Sequence, residues 1–357
     1  MPASGTTEAA LRATVRDFLS AETPALRIIE ALGADLRERM RREVLAGLGD
    51  PFRSGIPSTY FYDQTGSELY EQITALPEYY PTRTEASLLR QIAPRLADSI
   101  PARQMVELGS GSSAKTRLLL DAFHAGESPL TYVPIDVSRG MLRDIAGQLV
   151  EAYPGMRVLG LAAQFDDALD LLPLSDDRLV LFLGGTLGNF TPLRQDAFFA
   201  GLRRAMRPGN HLLLGFDRRA HPGKPASVIH AAYNDAHGVT AQFNLNLLTR
   251  LNRELEADFR LACWQHRAFY NAAEHQIEMV LESTTDQAVR VAGQLFFYKA
   301  GESILTEISR KFDPDELASW LARQGFVTRA CWMDEREVYG LMLVCRVHTE
   351  GLELDRE

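Results

Sequence analysis

A short apolar segment that ends in two closely spaced glycines constrains the fold of this chain more than any other feature. Residues 105–108 are typical of a buried strand, Gly109 and Gly111 predict a tight loop, and the leucine-rich residues 118–123 predict a helix after it. Glycines let the backbone approach a ligand closely, and the start of a helix presents unpaired N–H groups. Because nucleotides bind beyond the carboxyl ends of strands in α/β sheets, we expect a nucleotide-like ligand here.

The loop itself is compatible with two cofactor classes and with a purely structural turn. With Ala114 as a third small residue, it satisfies the loose dinucleotide pattern, which would indicate NAD(P). The order acidic, apolar, glycine, any residue, glycine, present here from Glu107 to Gly111, is instead typical of class I methyltransferases that bind S-adenosylmethionine (SAM). The loop alone leaves these alternatives open, and its surroundings must decide between them.

The alternation of strands and helices around the loop predicts a doubly wound α/β sheet. Strands are predicted at residues 105–108, 130–136, 156–162, 178–183 and 210–217. Near the end of the chain, residues 314–323 predict a helix, and residues 327–333 and 339–347 predict a hairpin. Five parallel strands closed by a helix and a hairpin are the class I methyltransferase layout, whereas NAD-binding folds continue with a sixth parallel strand. The predicted topology therefore favours SAM.

Three of the predicted strand ends carry side chains suited to a nucleotide ligand. Asp136 could accept both hydroxyls of a ribose, although it could also cap the next helix, for which Ser138 is well placed. Gln164 and Phe165 follow the third strand, where an adenine would lie. The turn after the fourth strand contains three glycines, which implies close backbone approach to a ligand, and its Asn189 offers a donor and an acceptor.

The segment before the sheet contains helix-start signals and a rigid connector. Two capping boxes, each with a hydroxyl residue three positions before a glutamate, predict helix starts at Thr65 with Glu68 and at Thr82 with Glu85. Between them, residues 76–83 hold two prolines around paired tyrosines and predict a stiff, non-helical connector that displays aromatic hydroxyls. The tyrosines could equally serve only to pack this connector.

The chain is long enough for two bodies with a substrate site between them. After residue 217 the strand and helix alternation gives way to mainly helical sequence and then to several short strands, which indicates an insertion. The predicted organisation is an unpatterned, mobile tail at residues 1–22, an α+β substrate-binding lid from 23–83 and 218–311, and a Rossmann-like SAM-binding domain from 84–217 and 312–357.

Composition and charge narrow the functional classes. The 357 residues carry a formal net charge of -9 and no long basic run, which argues against a nucleic-acid partner. No apolar run approaches the roughly 20 residues that cross a bilayer, and residues 1–10 lack a leader-like pattern, so we expect no membrane partner and a cytoplasmic location. The three cysteines and eight histidines show no disulfide or metal-binding spacing, so we expect no metal.

Six motifs coincide along nearly the whole chain. They are FYD at residues 61–63, GSEL at 66–69, LPEYYPTRTE at 76–85, ELGSGSSAKTR at 107–117, GGTLGNF at 184–190 and TEISRKF at 306–312. Together they resemble the SAM-dependent L-histidine Nα-methyltransferases of ergothioneine biosynthesis. The resemblance implies a monomeric enzyme that methylates the α-amino group of histidine three times, which yields the betaine hercynine.

The resemblance also implies a role for each matching residue. SAM would be contacted by Gly109, Lys115, Asp136, Gln164 and Phe165, with Tyr62 near the transferred methyl group. L-Histidine would be held by Tyr79, Gly184, Asn189, Tyr233, Met279, Glu307 and Ser309, of which Glu307 and Ser309 would bind the imidazole. Tyr62 and Tyr79 would assist removal of a proton from the amine, so they are the candidate catalytic residues.

One departure from the family pattern and three rival interpretations remain. The family usually has Asp where this chain has Gln164, and since Gln still offers an acceptor oxygen, we expect an altered SAM affinity and not its loss. The same fold could act on another amino acid or amine, could bind SAM without catalysis, or could be a nicotinamide oxidoreductase. From pattern alone, Glu307 and Ser309 could also be a solvated strand end.

Overall fold

The computed structural model describes residues 7–21, 23–31, 36–126 and 129–348. The helices in these parts are α1 (Glu8–Ser20), α2 (Leu36–Leu48), α3 (Gln64–Thr74), α4 (Tyr80–Ser99), α5 (Arg117–His124), α6 (Arg139–Ala152), α7 (Phe165–Leu171), α8 (Pro192–Ala205), α9 (Ala226–Ala231), α10 (Val239–Glu254) and α11 (Pro314–Arg323). The strands are β1 (Leu26–Glu30), β2 (Gln104–Leu108), β3 (Thr131–Asp136), β4 (Arg157–Ala162), β5 (Arg178–Phe182), β6 (His211–Asp217), β7 (Trp264–Asn271), β8 (Gln276–Ser283), β9 (Gln287–Val291), β10 (Gln294–Tyr298), β11 (Ser303–Arg310), β12 (Phe326–Met333) and β13 (Tyr339–Arg346). Short 3₁₀ helices lie at Ser58–Phe61, Thr186–Asn189 and Leu261–Cys263.

The main sheet has eight strands in the order β1-β4-β3-β2-β5-β6-β13-β12. The strands from β1 to β6 run parallel to their neighbours, while β13 runs antiparallel to both β6 and β12. This is the doubly wound α/β sheet of class I methyltransferases, with the predicted final hairpin, so the predicted fold class is confirmed. The strand order reverses between β2 and β5, and the loops after these two strands therefore open a crevice at the carboxyl edge.

The central strands of this sheet are buried on both faces. Every residue of β2 and of β5 is buried, because helices cover the sheet on each side. Near-continuous apolar sequence is what such strands require, and this is why their positions were predictable to within a residue or two. In the parts of the chain that the structure describes, no helix combines the length and the apolar character needed to cross a membrane.

A second group of elements packs beside the carboxyl edge of the main sheet. Strands β7, β8 and β11 form an antiparallel sheet, β9 and β10 form a hairpin, and α10 packs on α3 and β7. The segment before α4 joins this group, because the Ile56 amide donates to the Leu305 carbonyl over 2.8 Å and Arg250 donates to the Tyr60 carbonyl over 3.0 Å. The two segments that were predicted to form the lid are thus in direct contact, while the lid itself stays a prediction.

The N-terminal segment differs from the prediction of a mobile tail. Helix α1 occupies residues 8–20, begins at Thr7, whose hydroxyl accepts from the Ala10 amide, and buries Val15 and Phe18 against the main sheet. The two apolar side chains are three residues apart, a helical spacing that the surrounding Ala and Thr residues obscure. Strand β1 also pairs with β4, so it belongs to the main sheet and not to the lid. Residues 1–6 and 22 lie outside the described residues.

Neither predicted capping box is correct. Helix α3 is capped by Asp63, whose carboxylate accepts from the Gly66 amide over 2.8 Å. Helix α4 already begins at Tyr80, with Pro81 in its first turn, so the predicted non-helical connector ends at Tyr79. Proline is favoured at this position because the first N–H groups of a helix have no partner within the helix. Glu85 consequently lies inside α4, fully buried, and its carboxylate is available for other partners.

Candidate active site

The glycine loop after β2 has the backbone geometry that its sequence predicts. Gly109 and Gly111 have φ values of 78° and 46°, in the left-handed region that disfavours a side chain. A Cβ atom on Gly109 would lie 3.4 Å from the ring of Phe165, so the loop passes closely beneath that ring. A Cβ atom on Gly111 would lie 3.9 Å from Glu71 of α3. The loop therefore runs in a narrow space between the start of α7 and the lid helix α3.

Asp136 ends β3 and borders the same space. One carboxylate oxygen accepts from the Gly111 amide over 3.0 Å, and the other accepts from the Ser138 amide over 2.9 Å. Burial raises the pKa of this carboxyl group, while the bonds from Ser138 and Gly111 oppose the increase. Asp136 thus holds the glycine loop in place and accepts a hydrogen bond at the N-terminus of α6. Each of its oxygens can still accept a bond from a ribose hydroxyl. The ribose contact itself stays a prediction.

Gln164 and Phe165 lie at the start of α7, across from the glycine loop. The Gln164 side chain makes no capping bond to α7, and Phe165 packs edge-on to Phe182 with ring centroids 5.8 Å apart. The amide of Gln164 is therefore available to a ligand, and the Phe165 ring offers an apolar surface beside it. This arrangement fits a flat heterocycle with an exocyclic amino group, and both adenine contacts stay predictions.

Lys115 forms an ion pair next to the glycine loop, and its contact with the cofactor stays a prediction. Its ammonium group pairs with the buried carboxylate of Glu85. Glu85 also accepts from the Gly184 amide over 2.8 Å and from the Tyr339 hydroxyl over 2.8 Å. A Cβ atom on Gly215 would come within 2.0 Å of Glu85, so the glycine makes room for this group. The Glu85 carboxylate consequently ties the glycine loop to the turn after β5.

A cavity lies beside this crevice, between the carboxyl edge of the sheet and the lid. Seven of the predicted site residues line it, namely Tyr62, Tyr79, Gly184, Asn189, Tyr233, Glu307 and Ser309. The sequence analysis missed the other lining residues, which are Tyr70, Pro81, Gly185, Thr186, Asp217, Lys311 and Tyr339. Met279 does not line it but is buried on β8 as the strand partner of Glu307. All of the predicted substrate residues except Met279 thus line one cavity, and Tyr62, which was predicted to contact the cofactor, lines it as well.

Four tyrosines form one wall of the cavity. Tyr70 meets Tyr62 and Tyr79 edge-on, with ring centroids 5.6 and 6.4 Å apart, and Tyr79 meets Tyr233 at 6.3 Å. Burial raises the pKa of Tyr62 and of Tyr79 well above the ordinary value. At neutral pH these side chains are therefore phenols, which donate and accept hydrogen bonds but supply no phenolate base. Their faces are suited to a cationic ammonium group.

Glu307 and Ser309, on β11, also line the cavity. Gly188 lets the turn after β5 pack on this strand, because a Cβ atom there would lie 2.7 Å from the Arg310 carbonyl oxygen. Burial raises the pKa of Glu307 to about 7, against the opposing effect of the charge on Lys311. Ser309 is buried and accepts from the Tyr233 hydroxyl over 2.7 Å. Tyr233, assigned to the head group, and Ser309, assigned to the ring, are therefore in direct contact.

A group of buried charges closes the floor of the cavity. Asp217, at the end of β6, pairs with both Lys224 and Lys311 and accepts from the Tyr80 hydroxyl over 2.8 Å. Burial alone would raise the pKa of Asp217, but the two lysines hold it below its ordinary value. Asp217 could have been found by the reasoning applied to Asp136, since it also ends a parallel strand. Lys311 lies within the sixth quoted motif, but nothing in that pattern indicates a partner.

These features together define the chemistry that the site can support. A cleft suited to a nucleotide is formed by the narrow glycine loop, the carboxylate of Asp136 and the apolar ring of Phe165. The adjoining cavity offers carboxylate, hydroxyl and aromatic groups to a small polar molecule. In the described parts of the chain, no three His, Cys, Asp or Glu residues are grouped so that they could hold a metal ion. Such a cleft and cavity on this sheet define a SAM-dependent methyltransferase of class I.

Comparison with known proteins identifies the family. The chain belongs to the family described as "Histidine-specific methyltransferase, SAM-dependent", whose model matches residues 40–346. A relative from Mycolicibacterium smegmatis, named histidine N-alpha-methyltransferase, is 42% identical over 324 residues, which cover 90% of this chain and 99% of the relative.

Two further relatives and one solved structure are also similar to this chain. Ergothioneine biosynthesis protein 1 of Neurospora crassa is 30% identical over 82% of this chain, which spans 33% of that larger protein. An L-tryptophan methyltransferase of Psilocybe serbica is 29% identical over 85% of this chain and 92% of its own length. The structure of a magnesium protoporphyrin IX methyltransferase from Synechocystis superposes with a TM-score of 0.43 at 12% identity, covering 80% of this chain and 96% of that one.

Proposed function

We propose that the enzyme transfers methyl groups from SAM to the α-amino group of L-histidine, three times in succession, to give hercynine, the first step of ergothioneine biosynthesis. The observation that carries the proposal is the cavity that Glu307 and Ser309 line together with Tyr62, Tyr70, Tyr79 and Tyr233. The carboxylate and the hydroxyl suit the two nitrogens of an imidazole. The aromatic rings suit an amine that becomes a quaternary ammonium.

In this proposal, SAM supplies a methyl group that is activated by attachment to a sulfonium. The glycine loop, Asp136 and the Gln164 and Phe165 pair bind and orient the nucleotide portion beside the cavity. The new bond joins the α-nitrogen to the methyl carbon while the bond from that carbon to sulfur breaks, and the sulfur keeps the electron pair. Because this in-line displacement requires close alignment of the amine and the methyl group, positioning by the cavity is the main contribution of the protein.

One proton must leave the ammonium group before each methyl transfer, so that the nitrogen lone pair is free to attack the methyl carbon. Tyr62 and Tyr79 are phenols at neutral pH, so we assign them the role of accepting hydrogen bonds from the amine N–H groups and aiming the nitrogen lone pair. The protons themselves then pass to water. Asn189 and Tyr233 are assigned to the amino-acid head group, as the family resemblance implies, and both line the cavity.

The Psilocybe relative makes tryptophan the rival substrate that a test must include. An indole N–H could bind Glu307, but the indole carries no second nitrogen for Ser309. The test is mass spectrometry of the purified protein after incubation with SAM and the common amino acids, tryptophan among them. Histidine alone should gain one, two and then three methyl groups. Methylation of another amino acid in place of histidine, or binding of SAM without any methylated product, would overturn the proposal.

A further inference from the structure

Lys311 lies beside the residues assigned to the imidazole ring, yet all three N–H groups of its ammonium bind other groups of the protein. Its ammonium group donates to Ser309 over 2.8 Å and to Tyr233 over 3.1 Å, and it pairs with Asp217 over 2.9 Å. An ammonium group has three protons and accepts no hydrogen bond, so these three partners saturate it. Because Lys311 is also buried, it does not bind the substrate directly but acts through the residues that it contacts.

The hydrogen bonds around Ser309 determine what its hydroxyl can offer to a substrate. A serine hydroxyl has one proton and two lone pairs. Tyr233 donates to the Ser309 oxygen over 2.7 Å, and Lys311 donates to the same atom. Both lone pairs are then occupied, and the remaining capacity of Ser309 is its own proton. The ring atom that faces Ser309 must therefore be an acceptor.

Glu307 requires a hydrogen-bond donor from the ring, whereas Ser309 requires an acceptor. An ionised carboxylate accepts hydrogen bonds and donates none, so it requires an N–H group from the substrate. A neutral imidazole satisfies both residues at once, because it has one N–H group and one unprotonated nitrogen. An imidazolium would instead present a second N–H group to the proton of Ser309.

The balance of buried charges also favours a neutral imidazole ring in the bound substrate. The cluster contains two ammonium groups, on Lys224 and Lys311, and two carboxylates, on Asp217 and Glu307. The other titratable groups that act on it are the carboxylate of Asp334, which faces Lys224, and six phenols that are neutral at neutral pH, on Tyr62, Tyr70, Tyr79, Tyr80, Tyr233 and Tyr339. The four charges of the cluster itself sum to zero when Glu307 is ionised. A neutral ring preserves this balance, whereas a charged ring adds a buried positive charge without a counter-ion.

We propose that Lys311 is a positioning residue that fills the acceptor capacity of Ser309, so that the site takes up histidine with a neutral imidazole and rejects rings that lack an unprotonated nitrogen. The inference rests on the proposed function and adds to it the protonation state of the substrate ring and the residue that enforces it. It also gives a physical reason why an indole would be a poor substrate for this chain.

Analogues of histidine test the inference on the wild-type enzyme. Triazolylalanine keeps an N–H group and an unprotonated nitrogen, while pyrrolylalanine keeps only the N–H group. The specificity constant kcat/KM for triazolylalanine should approach that for histidine, and that for pyrrolylalanine should be roughly ten- to a hundredfold lower, since the proton of Ser309 is left without an acceptor. Equal use of pyrrolylalanine and histidine would refute the inference and leave the proposed function intact. Failure to methylate histidine at all would refute both.

Two matched substitutions then assign the effect to Lys311. In Lys311→Met, Asp217 keeps its pairing with Lys224, and the Ser309 proton becomes free to turn elsewhere, so the preference for histidine over pyrrolylalanine should shrink to within about threefold. The KM for SAM should not change. Lys224→Met removes the other partner of Asp217 without touching Ser309, and it should keep the full preference. An undiminished preference in Lys311→Met, or an equal reduction in both variants, would overturn the role of Lys311.

A measurement on the wild-type protein decides the matter if Lys311→Met does not fold. Histidine labelled with ¹⁵N in its ring can be bound to the enzyme together with S-adenosylhomocysteine at about pH 7.5, above the pKa of about 7 of Glu307, where an imidazolium would form only if the site raised the ring pKa above its ordinary value of about 6.5. The nitrogen chemical shifts of the bound ring should be those of a neutral imidazole with one protonated nitrogen. Shifts typical of an imidazolium would contradict the inference.

Discussion

Replacing Glu307 by glutamine should stabilise the ligand-free protein while impairing it as an enzyme. Burial raises the pKa of Glu307 from 4.5 to about 7. Between these two pH values the unfolded chain has released a proton that the folded protein still holds, so the free energy of unfolding falls as the pH rises. Above about pH 7 the full cost of the buried carboxylate is present, and below about pH 4.5 it is absent.

The size of the effect follows from the two pKa values. The penalty that the wild-type protein carries is about 3 kcal/mol at pH 8 and less than about 1 kcal/mol at pH 5. These are upper values, because Glu307 faces a cavity that water can enter. Glu307→Gln cannot titrate, so it should be more stable than the wild type by up to this amount at each pH.

Urea unfolding of the ligand-free protein at both pH values measures this difference. Titration of all other groups cancels between wild type and variant, and Glu302→Gln, an exposed substitution just before β11, is the control that should show no difference. The variant should also have a KM for histidine at least about tenfold higher, since a neutral amide replaces a charge-assisted acceptor. An increase in the free energy of unfolding that is equal at pH 5 and pH 8, or no increase at pH 8, would refute the reasoning.

Three further substitutions address the cofactor side. Gly109→Ala places a Cβ atom 3.4 Å from the ring of Phe165 at a φ of 78°, which is unfavourable for alanine. The affinity for SAM, measured by calorimetry, should therefore fall about tenfold. An unchanged affinity would show that the loop relaxes freely. Glu85→Leu removes the acceptor shared by the partly buried Lys115 ammonium, the Gly184 amide and the Tyr339 hydroxyl, and it should lower the free energy of unfolding by about 3–5 kcal/mol in urea. A loss below about 1 kcal/mol would contradict the importance of this network. Gln164→Asp introduces a charged acceptor and should bind SAM several-fold more tightly without changing the KM for histidine, whereas weaker binding would argue against an adenine contact.

The central sheet was predictable because its signals are local. Continuous apolar runs mark β2 and β5, and a polar residue at the end of a run marks the carboxyl edge, as with Asp136. The amphipathic spacing in α1 is also local but weak, since only Val15 and Phe18 are buried there. The prediction of a mobile tail failed because two side chains do not distinguish a packed helix from an unpatterned segment.

The buried polar networks were not predictable, because their partners are far apart in sequence. Glu85 has the spacing of a capping box with Thr82, and Pro81 places the helix start earlier, so the local pattern misleads. Its actual partners, Lys115 and Tyr339, are 30 and 254 residues away. No pattern within a single segment records such a contact. The family resemblance named Lys115 as important, but the three-dimensional arrangement was needed to identify Glu85 as the group that it meets.

The cost of Glu307 is a consequence of the way in which the cavity recognises a ring. The ionised carboxylate of Glu307 selects a ring that donates an N–H group, but a carboxylate charge is unfavourable at a largely buried site. Lys311 lowers this cost, because its positive charge opposes the rise in the pKa of Glu307, and the same ammonium group restricts Ser309 to donating. One buried lysine therefore supports both halves of the recognition. Substitutions at Glu307 and Lys311 should for this reason be non-additive, since each changes the state of the other.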